Sequence, residues 1–384
     1  MSARPGKADL VHLDDGERGL YERTRAVARE HLAPVTAAGE QGRVDRSLVR
    51  ALAGYGLLER LFGDGDDERR VSAIELCLIR EALACESTDA ETAFALQGLG
   101  AYPILLAGRP DVVREWIPRV AAGEAVAAFA LTEPGAGTDA AALELTAERD
   151  GDGWRLTGTK AWISNAPDAD IYTVFARTTP DARARGVTAF AVPGDSDGLG
   201  GEALRLLSAH PVGRLEFDGV RVPPEYVLGE LDAGFRVAMR TLDLFRPSVG
   251  AFAVGMAQAA LEAAVAHAQR REAFGKPLRE FQAVSHSLAE MATRTQAARL
   301  LVHHAARAYD TGTPHVSRQA AMAKLFATES AQRVVDAAMQ VHGACGLEHG
   351  HLLEHLYRDV RAPRIYEGTS EIQREIVARE LFRE

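Results

Sequence analysis

From about residue 15 to 127, apolar residues recur at helical spacing among Ala, Leu, Glu and Arg, which predicts about four to six packed helices. The breaks between them fall at Gly54 to Gly56, at the Gly63-Asp64-Gly65 run and at Gly108-Arg109-Pro110-Asp111. In the last of these, Asp111 is the expected cap of the amphipathic run VVREWIPRV. Near Ala128 the period changes. Leu143, Leu145 and Ala147 alternate with polar residues, Asp150 to Gly153 supplies a turn, and Trp154 and Leu156 resume the alternation as a hairpin. IYTVFART (171–178), GVTAFAVP (186–193) and GRLEFDGVRVP (213–223) read as further strands. After Gly234 helical spacing returns: Val284, Leu288, Met291, Ala298 and Val302 trace one helix face, and residues 320–342 predict another helix. The fold class is mainly α with a middle β domain, with segments 1–127, 128–233 and 234–384.

Composition narrows the class of protein. The chain has 384 residues, is 47% hydrophobic and 26% charged, and carries a formal charge of −10, so it lacks the basic footprint that phosphate backbones require. Nucleic acid is not an expected partner. The opening residues lack the apolar core of a signal peptide, and no uninterrupted apolar stretch of membrane-spanning length is evident, so the expectation is a cytoplasmic protein with no membrane partner. Three dispersed cysteines, Cys77, Cys85 and Cys345, fit reduced thiols.

Chemistry is most legible in RDVRAPRIYEGTSEIQREIVARELF (358–382). Glu367 stands between Tyr366 and Gly368, just before a helix-start signal in which Ser370 and Gln373 form the expected capping box. A carboxylate on a loop fixed by a helix suits a positioned general base, and it equally suits a charge favouring the helix dipole. LTEPGAGTD (131–139) places Gly135 and Gly137 where backbone N–H groups and hydroxyls can approach a flat heterocycle, or where a turn needs them; the spacing is not that of a Rossmann fingerprint. GTKAWISN (158–165) offers Trp162 as a wall for an aromatic ring, or as core, and Ser164 as a hydrogen-bonding edge. RREAFGKPLREFQ (270–282) supplies Arg271, Phe274 and Gln282 for a pyrophosphate and adenine, or is a basic helix end followed by a turn. His349, His351 and His355 raise a metal reading that lacks an acidic motif beside it, so no metal is expected.

Taken together and in this order, LTEPGAGTD, WISN, R-x-x-F-G-K-P-x-x-x-F-Q and IYEGTSEIQR resemble the acyl-CoA dehydrogenase family of flavoproteins over nearly the whole chain. The resemblance implies an N-terminal helical domain, a β-barrel-like middle domain and a C-terminal four-helix bundle. It implies FAD, a homotetramer built as a dimer of dimers, an acyl-CoA or acyl-carrier-protein thioester as substrate, and an electron-transfer flavoprotein as electron acceptor. By position, Phe129, Leu131, Thr132, Gly137, Thr138, Trp162 and Ser164 contact the flavin and its ribityl chain, and Thr369 and Glu371 lie near its phosphates or adenosine. Arg271, Phe274, Gln282, Gln340 and Gly343 serve the FAD of a neighbouring subunit. Glu367 matches the catalytic base, Arg246 a supporting arginine, and Tyr366, Gly368, Phe245 and Thr138 the substrate pocket. Some members carry their base where this chain has Phe245, which cannot take a proton.

Departures include Ala166 where the family has glycine, and His342, Cys345 and Leu347 near the subunit contact. Phe-Arg-Pro-Ser-Val-Gly (245–250) looks like members from specialised-metabolite pathways. Alternatives on the same fold are a thioester oxidase, a flavin-dependent oxygenase and a non-catalytic scaffold.

Overall fold

A computed structural model describes residues 8–40, 42–63 and 71–382. Asp64 and Gly65 of the second break lie outside the described residues. The helices before the sheet are α1 (Asp15–Val27), continued by a π-helical stretch (Ala28–Leu32) into α2 (Ala33–Thr36), then α3 (Arg46–Gly54), α4 (Ala73–Glu86), α5 (Thr88–Ala107) and α6 (Pro110–Ala121). The strands are β1 (Ala127–Ala130), β2 (Thr146–Asp150), β3 (Gly153–Ser164), β4 (Ile171–Arg177), β5 (Val187–Pro193), β6 (Leu199–Leu204), β7 (Val212–Val222) and β8 (Val227–Leu228). Helices α7 (Gly234–Arg270), α8 (Gln282–Asp310), α9 (Val316–His342), α10 (Leu352–Asp359) and α11 (Ser370–Leu381) follow, with a two-stranded hairpin, β9 (Glu272–Ala273) and β10 (Lys276–Pro277), between α7 and α8.

These elements gather into two compact units. One comprises Met1–Ala33, Ser72–Glu91 and Asp243–Glu384; the other comprises Pro34–Val71 and Thr92–Leu242. The first unit is helical. Within it α8 packs along α9, α1 on α4 and α11 on α9. Its interior is alanine- and valine-rich and encloses ion pairs: buried Arg299 Nε reaches Glu81 Oε1 at 2.8 Å, and half-buried Arg25 joins Glu86 and Glu262. Pairing of this kind is what makes a buried charge tolerable.

The second unit holds an eight-stranded sheet in the order β6-β7-β3-β2-β4-β5-β8, with β1 added in parallel to β4. The hairpin predicted over residues 143–156 is β2 and β3. Leu143 and Leu145 precede β2 but are buried like strand residues. β6 is not predicted because its LGGEAL sequence is almost wholly exposed, so no hydrophobic alternation marks it. β3 is irregular: its register with β7 slips between Leu156 and Gly158 and again between Lys160 and Ile163. Such bulges re-aim side chains.

Two sequence expectations change. Asp111 does not cap α6, because the helix starts one residue earlier at Pro110, whose fixed φ and missing N–H suit the first helical position; Arg109 is the extended residue before it. α7 is long and apolar enough to cross a membrane by length and composition, but 78% of its most apolar window is buried inside the protein.

Candidate functional site: the Glu367 turn and the flavin-type segments

Between a short 3-10 turn at Ala362–Arg364 and α11, the chain makes a tight bend that presents Glu367. Glu367 has φ +51° and Gly368 φ +94°, two consecutive left-handed residues. For a glutamate this conformation costs on the order of 1 kcal/mol or more, so the surroundings must enforce it. They do so through the carbonyls. Lys324 Nζ, from α9, donates to Tyr366 O at 2.9 Å and to Gly368 O at 2.5 Å. Gln373 Nε2, from α11, donates to Gly368 O at 3.0 Å and to Glu367 O at 3.3 Å. At φ +94° an L side chain on residue 368 would be strained, and its Cβ, 2.6 Å from that same Nε2, would also push Gln373 off the turn.

The cap of α11 lies one residue earlier than the sequence predicts. Thr369 is the N-cap, its hydroxyl accepting from Ile372 N at 3.3 Å, while Ser370 Oγ donates to Glu329 Oε1 at 2.7 Å and Gln373 turns back onto the Glu367 bend. Both threonine and serine can cap, and the competing carboxylate of Glu329 on α9, itself paired with Arg364, decides between them.

Around Glu367 the charges come from three other helices. Its Oε2 is shut from solvent and has no hydrogen-bond partner among the described residues. Burial raises its proton affinity above the ordinary carboxylate value, opposed by the positive charges of Arg80, Lys324 and Arg246. Arg80, on α4, is itself buried: it pairs with Glu91 and donates to Ser248 Oγ at 2.7 Å, and Ser248 in turn donates to Phe245 O at 2.7 Å. Arg246 donates to Asp243 Oδ1 at 2.9 Å. Burial, with Glu91 adding to it, lifts the Tyr366 phenol well above its usual value, so it stays neutral. Phe245 is fully buried. A carboxyl in this setting is suited to taking a proton from carbon rather than to sitting in a surface ion pair.

In the other unit, the glycine-rich loop and the WISN strand are tied together from below. Lys160, completely buried on β3, donates to Glu133 Oε1 at 2.7 Å and to Leu131 O at 3.0 Å. Glu133 also accepts from Glu144 N at 2.6 Å and Leu145 N at 3.0 Å, and Ala161 N donates to Thr132 O at 3.0 Å. Neither Gly135 nor Gly137 has positive φ. A Cβ at Gly135 would meet nothing, and one at Gly137 only Thr132 Cγ2 at 4.0 Å. Backbone conformation and packing therefore do not require these glycines; their open side does, if a ring must lie close. Trp162 sits at the second bulge with φ +55° and is 50% exposed, so it is not core. Phe129 lies against Phe175 with ring centroids 4.9 Å apart and planes tilted by 56°, Leu131 is buried, Thr132 and Ser164 are half-buried, and Thr138 is exposed.

These are the features of a known family. The descriptions "Acyl-CoA dehydrogenase, N-terminal domain", "middle domain" and "C-terminal domain" match residues 14–124, 128–220 and 232–382. The chain is 38% identical to the short-chain specific acyl-CoA dehydrogenase, mitochondrial, of Bos taurus over 97% of this chain and 92% of that one. The fold of butyryl-CoA dehydrogenase from Megasphaera elsdenii superimposes with a TM-score of 0.90 at 34% identity, covering 98% of this chain and 100% of that chain. A structure of PigA with FAD and proline superimposes at 0.89, with 25% identity, over 97% and 99%. The chain belongs to the acyl-CoA dehydrogenase family. The reaction class and cofactor of the family follow: an oxidoreductase acting on CH–CH bonds, with FAD-dependent dehydrogenation of acyl-CoA.

The open glycine edge, the half-exposed indole and the hydroxyls of Thr132, Thr138 and Ser164 fit a flavin. In the helical unit, Arg271, Gln282, Gln340 and Gly343 are exposed, and Thr369 and Glu371 lie at the start of α11. Phe274 and Gly275 form the two-residue turn of the β9–β10 hairpin with φ +51° and +78°. Phe274 is 96% exposed, a conformation and a setting that a bulky aromatic avoids unless something outside the chain uses it. The histidines have other partners: His349 faces Glu354, His351 Nδ1 caps α10 by accepting from Leu353 N at 3.1 Å, and His355 bonds Asp359 at 3.0 Å and Thr88. Among the described residues no group of three ligands could hold a metal.

Arg80, Glu91, Ser248 and Lys324 belong to this site although no sequence motif singles them out. The signal they leave is weak: Lys324 is the one charge in the apolar helical run AAMAKLFA, and Arg80 lies with Glu75 and Glu81 in the mainly apolar run IELCLIREALAC, where an unpaired charge has no place.

Proposed function

We propose that the chain removes the α-proton of an acyl thioester with Glu367 while the β-hydride leaves to FAD, giving the α,β-unsaturated thioester. The observation that carries this reading is the Glu367 carboxyl: buried, on an enforced left-handed turn, with raised proton affinity and three cations around it. Bound FAD supplies the hydride acceptor at N5. The α-proton passes to Glu367 as its bond to carbon breaks, and the β-hydrogen departs with its electron pair, so the substrate loses two electrons and two hydrogens. A base near its working pH balances proton uptake against occupancy of the charged form, and burial moves Glu367 in that direction. The Glu367 N–H, set by the same turn, donates to the thioester oxygen as enolate charge develops. Arg246 and Arg80 stabilise the charged base before transfer. Tyr366, Gly368, Phe245 and Thr138 shape the acyl site. Phe129, Leu131, Thr132, Gly137, Trp162 and Ser164, with Thr369 and Glu371, hold the cofactor; Arg271, Phe274, Gln282, Gln340 and Gly343 reach the FAD of a neighbouring subunit in a homotetramer.

Electrons leave to an electron-transfer flavoprotein in the cytoplasm, and the segments 1–127, 128–233 and 234–384 act as the three domains of the reaction. The exposed Phe274 turn supports the subunit contact. Mixing FAD-loaded protein with a panel of acyl-CoA and acyl-carrier-protein thioesters and following flavin bleaching tests the reading: bleaching by at least one member is expected, and none by any member overturns it. Rapid oxygen consumption with peroxide release would assign the protein as an oxidase.

A further inference from the structure

We propose that Lys324, acting with Gln373, is a positioning residue for the base: its ammonium grips the carbonyls on either side of Glu367, fixing the left-handed turn, and its charge sets how tightly that base holds a proton. The inference rests on the dehydrogenation reading and goes beyond it by assigning the device that makes Glu367 competent.

The geometry is that of a clamp. Lys324 Nζ spans Tyr366 O and Gly368 O, the carbonyls immediately before and after the catalytic residue, and Gln373 takes Glu367 O and Gly368 O from the opposite helix. Every carbonyl of the Tyr366-Glu367-Gly368 bend thus has a side-chain donor, although this stretch lies outside any helix or strand that could satisfy it. Lys324 and Gln373 are both fully buried. An ordinary surface lysine on α9 would contribute neither contact. Donors from two helices explain how a glutamate is kept at φ +51°.

The second role is electrostatic. Glu367 is faced by Arg80 from α4, Arg246 from α7 and Lys324 from α9; Lys324 is faced by Glu367, Arg246, Glu329 and Glu371. Of the three cations, Lys324 is the one bonded to the turn itself. Burial brings its own pKa down to about 8, with Glu367 pulling it back up, so near neutrality it carries its charge and above that range it gives it up. A carboxylate that loses one adjacent cation becomes more basic by about one pH unit or more.

Lys324→Gln keeps an N–H donor for the carbonyls and removes the charge, whereas Lys324→Met removes both. With full-length, FAD-loaded protein and butyryl-CoA as probe, the pH dependence of the flavin-bleaching rate is recorded for wild type and both variants. Lys324→Gln is expected to move the acidic limb up by about one pH unit and to lower the plateau rate by less than Lys324→Met does. Lys324→Met is expected to move the limb similarly and to lower the plateau by about tenfold or more, with a much smaller change in KM. A lysine that merely stabilises the fold would lower the melting temperature and leave the limb where it is in both variants; that result overturns the proposal. If Lys324→Met does not fold, Lys324→Gln and Gln373→Leu decide. Infrared titration of the Glu367 carboxyl, its band assigned by loss in Glu367→Gln, reads the same shift without turnover. Should wild type fail to bleach, the dehydrogenation reading falls on its own, and the infrared shift still accepts or rejects the clamp.

Discussion

Replacing Glu133 by Gln should unfasten the glycine-rich loop from β3, and its cost can be worked from the buried contacts. Lys160 sits with no exposed surface, and burial lowers its pKa from 10.5 to about 8 even with Glu133 at 2.7 Å pulling the other way. That drop corresponds to about 3 kcal/mol of unfavourable charging at neutral pH in the folded protein. Between about 8 and 10.5 the unfolded chain binds more protons at Lys160 than the folded one, so this group's penalty is full below pH 8 and fades as pH rises through the window. Glu133→Gln removes the compensating anion and strands the cation, a change that in buried pairs costs about 3–5 kcal/mol. For a protein of 384 residues, whose unfolding entropy is about 0.8 kcal/mol/K, that is a fall of about 4–6 °C in melting temperature, larger at pH 7 than at pH 9. Because Glu133 also accepts from the N–H groups of Glu144 and Leu145, the loop loosens and FAD affinity falls with it. Thermal unfolding across pH and FAD titration by fluorescence check both effects. A variant with unchanged melting temperature and FAD affinity at pH 7 would refute the view that this ion pair holds the loop, and Glu133→Leu combined with Lys160→Met should recover much of the stability.

Two other changes separate cofactor binding from folding. Gly137→Val adds bulk on an open edge, so the apoprotein should keep its melting temperature within a few degrees while FAD binding weakens by about tenfold or more; equal binding would move the flavin away from this loop. Phe274→Asn replaces the exposed aromatic by the residue that a type I′ turn prefers, so the hairpin should persist or gain slightly. Oligomer dissociation at a higher protein concentration than wild type, seen by analytical ultracentrifugation, is expected, and an unchanged assembly would place the subunit contact elsewhere.

Much of this arrangement is visible in the chain. The change of period near Ala128 and its return at Gly234 locate the sheet between helices, because period is dictated by which residues meet the core. The motif residues that turn the chain, such as Gly368, are local and hence readable. Choices settled by distant partners are not. Whether Thr369 or Ser370 caps α11 depends on Glu329, far upstream on another helix, and Gln373 is drawn to the Glu367 bend instead of the helix start. The same holds for Arg80 and Lys324, whose meaning appears only when the fold brings Glu91, Ser248 and the bend to them. Trp162 illustrates the converse: its sequence fits core packing, and only the bulge in β3 turns it outward.

The central claim is that Glu367 takes the substrate's α-proton. Stopped-flow reduction of the FAD-loaded protein by a thioester that bleaches the wild type, repeated with Glu367→Gln, tests it directly. The account predicts intact FAD and thioester binding with flavin reduction slowed by about four orders of magnitude or more. Reduction at near wild-type rate would contradict it and place the base on another residue.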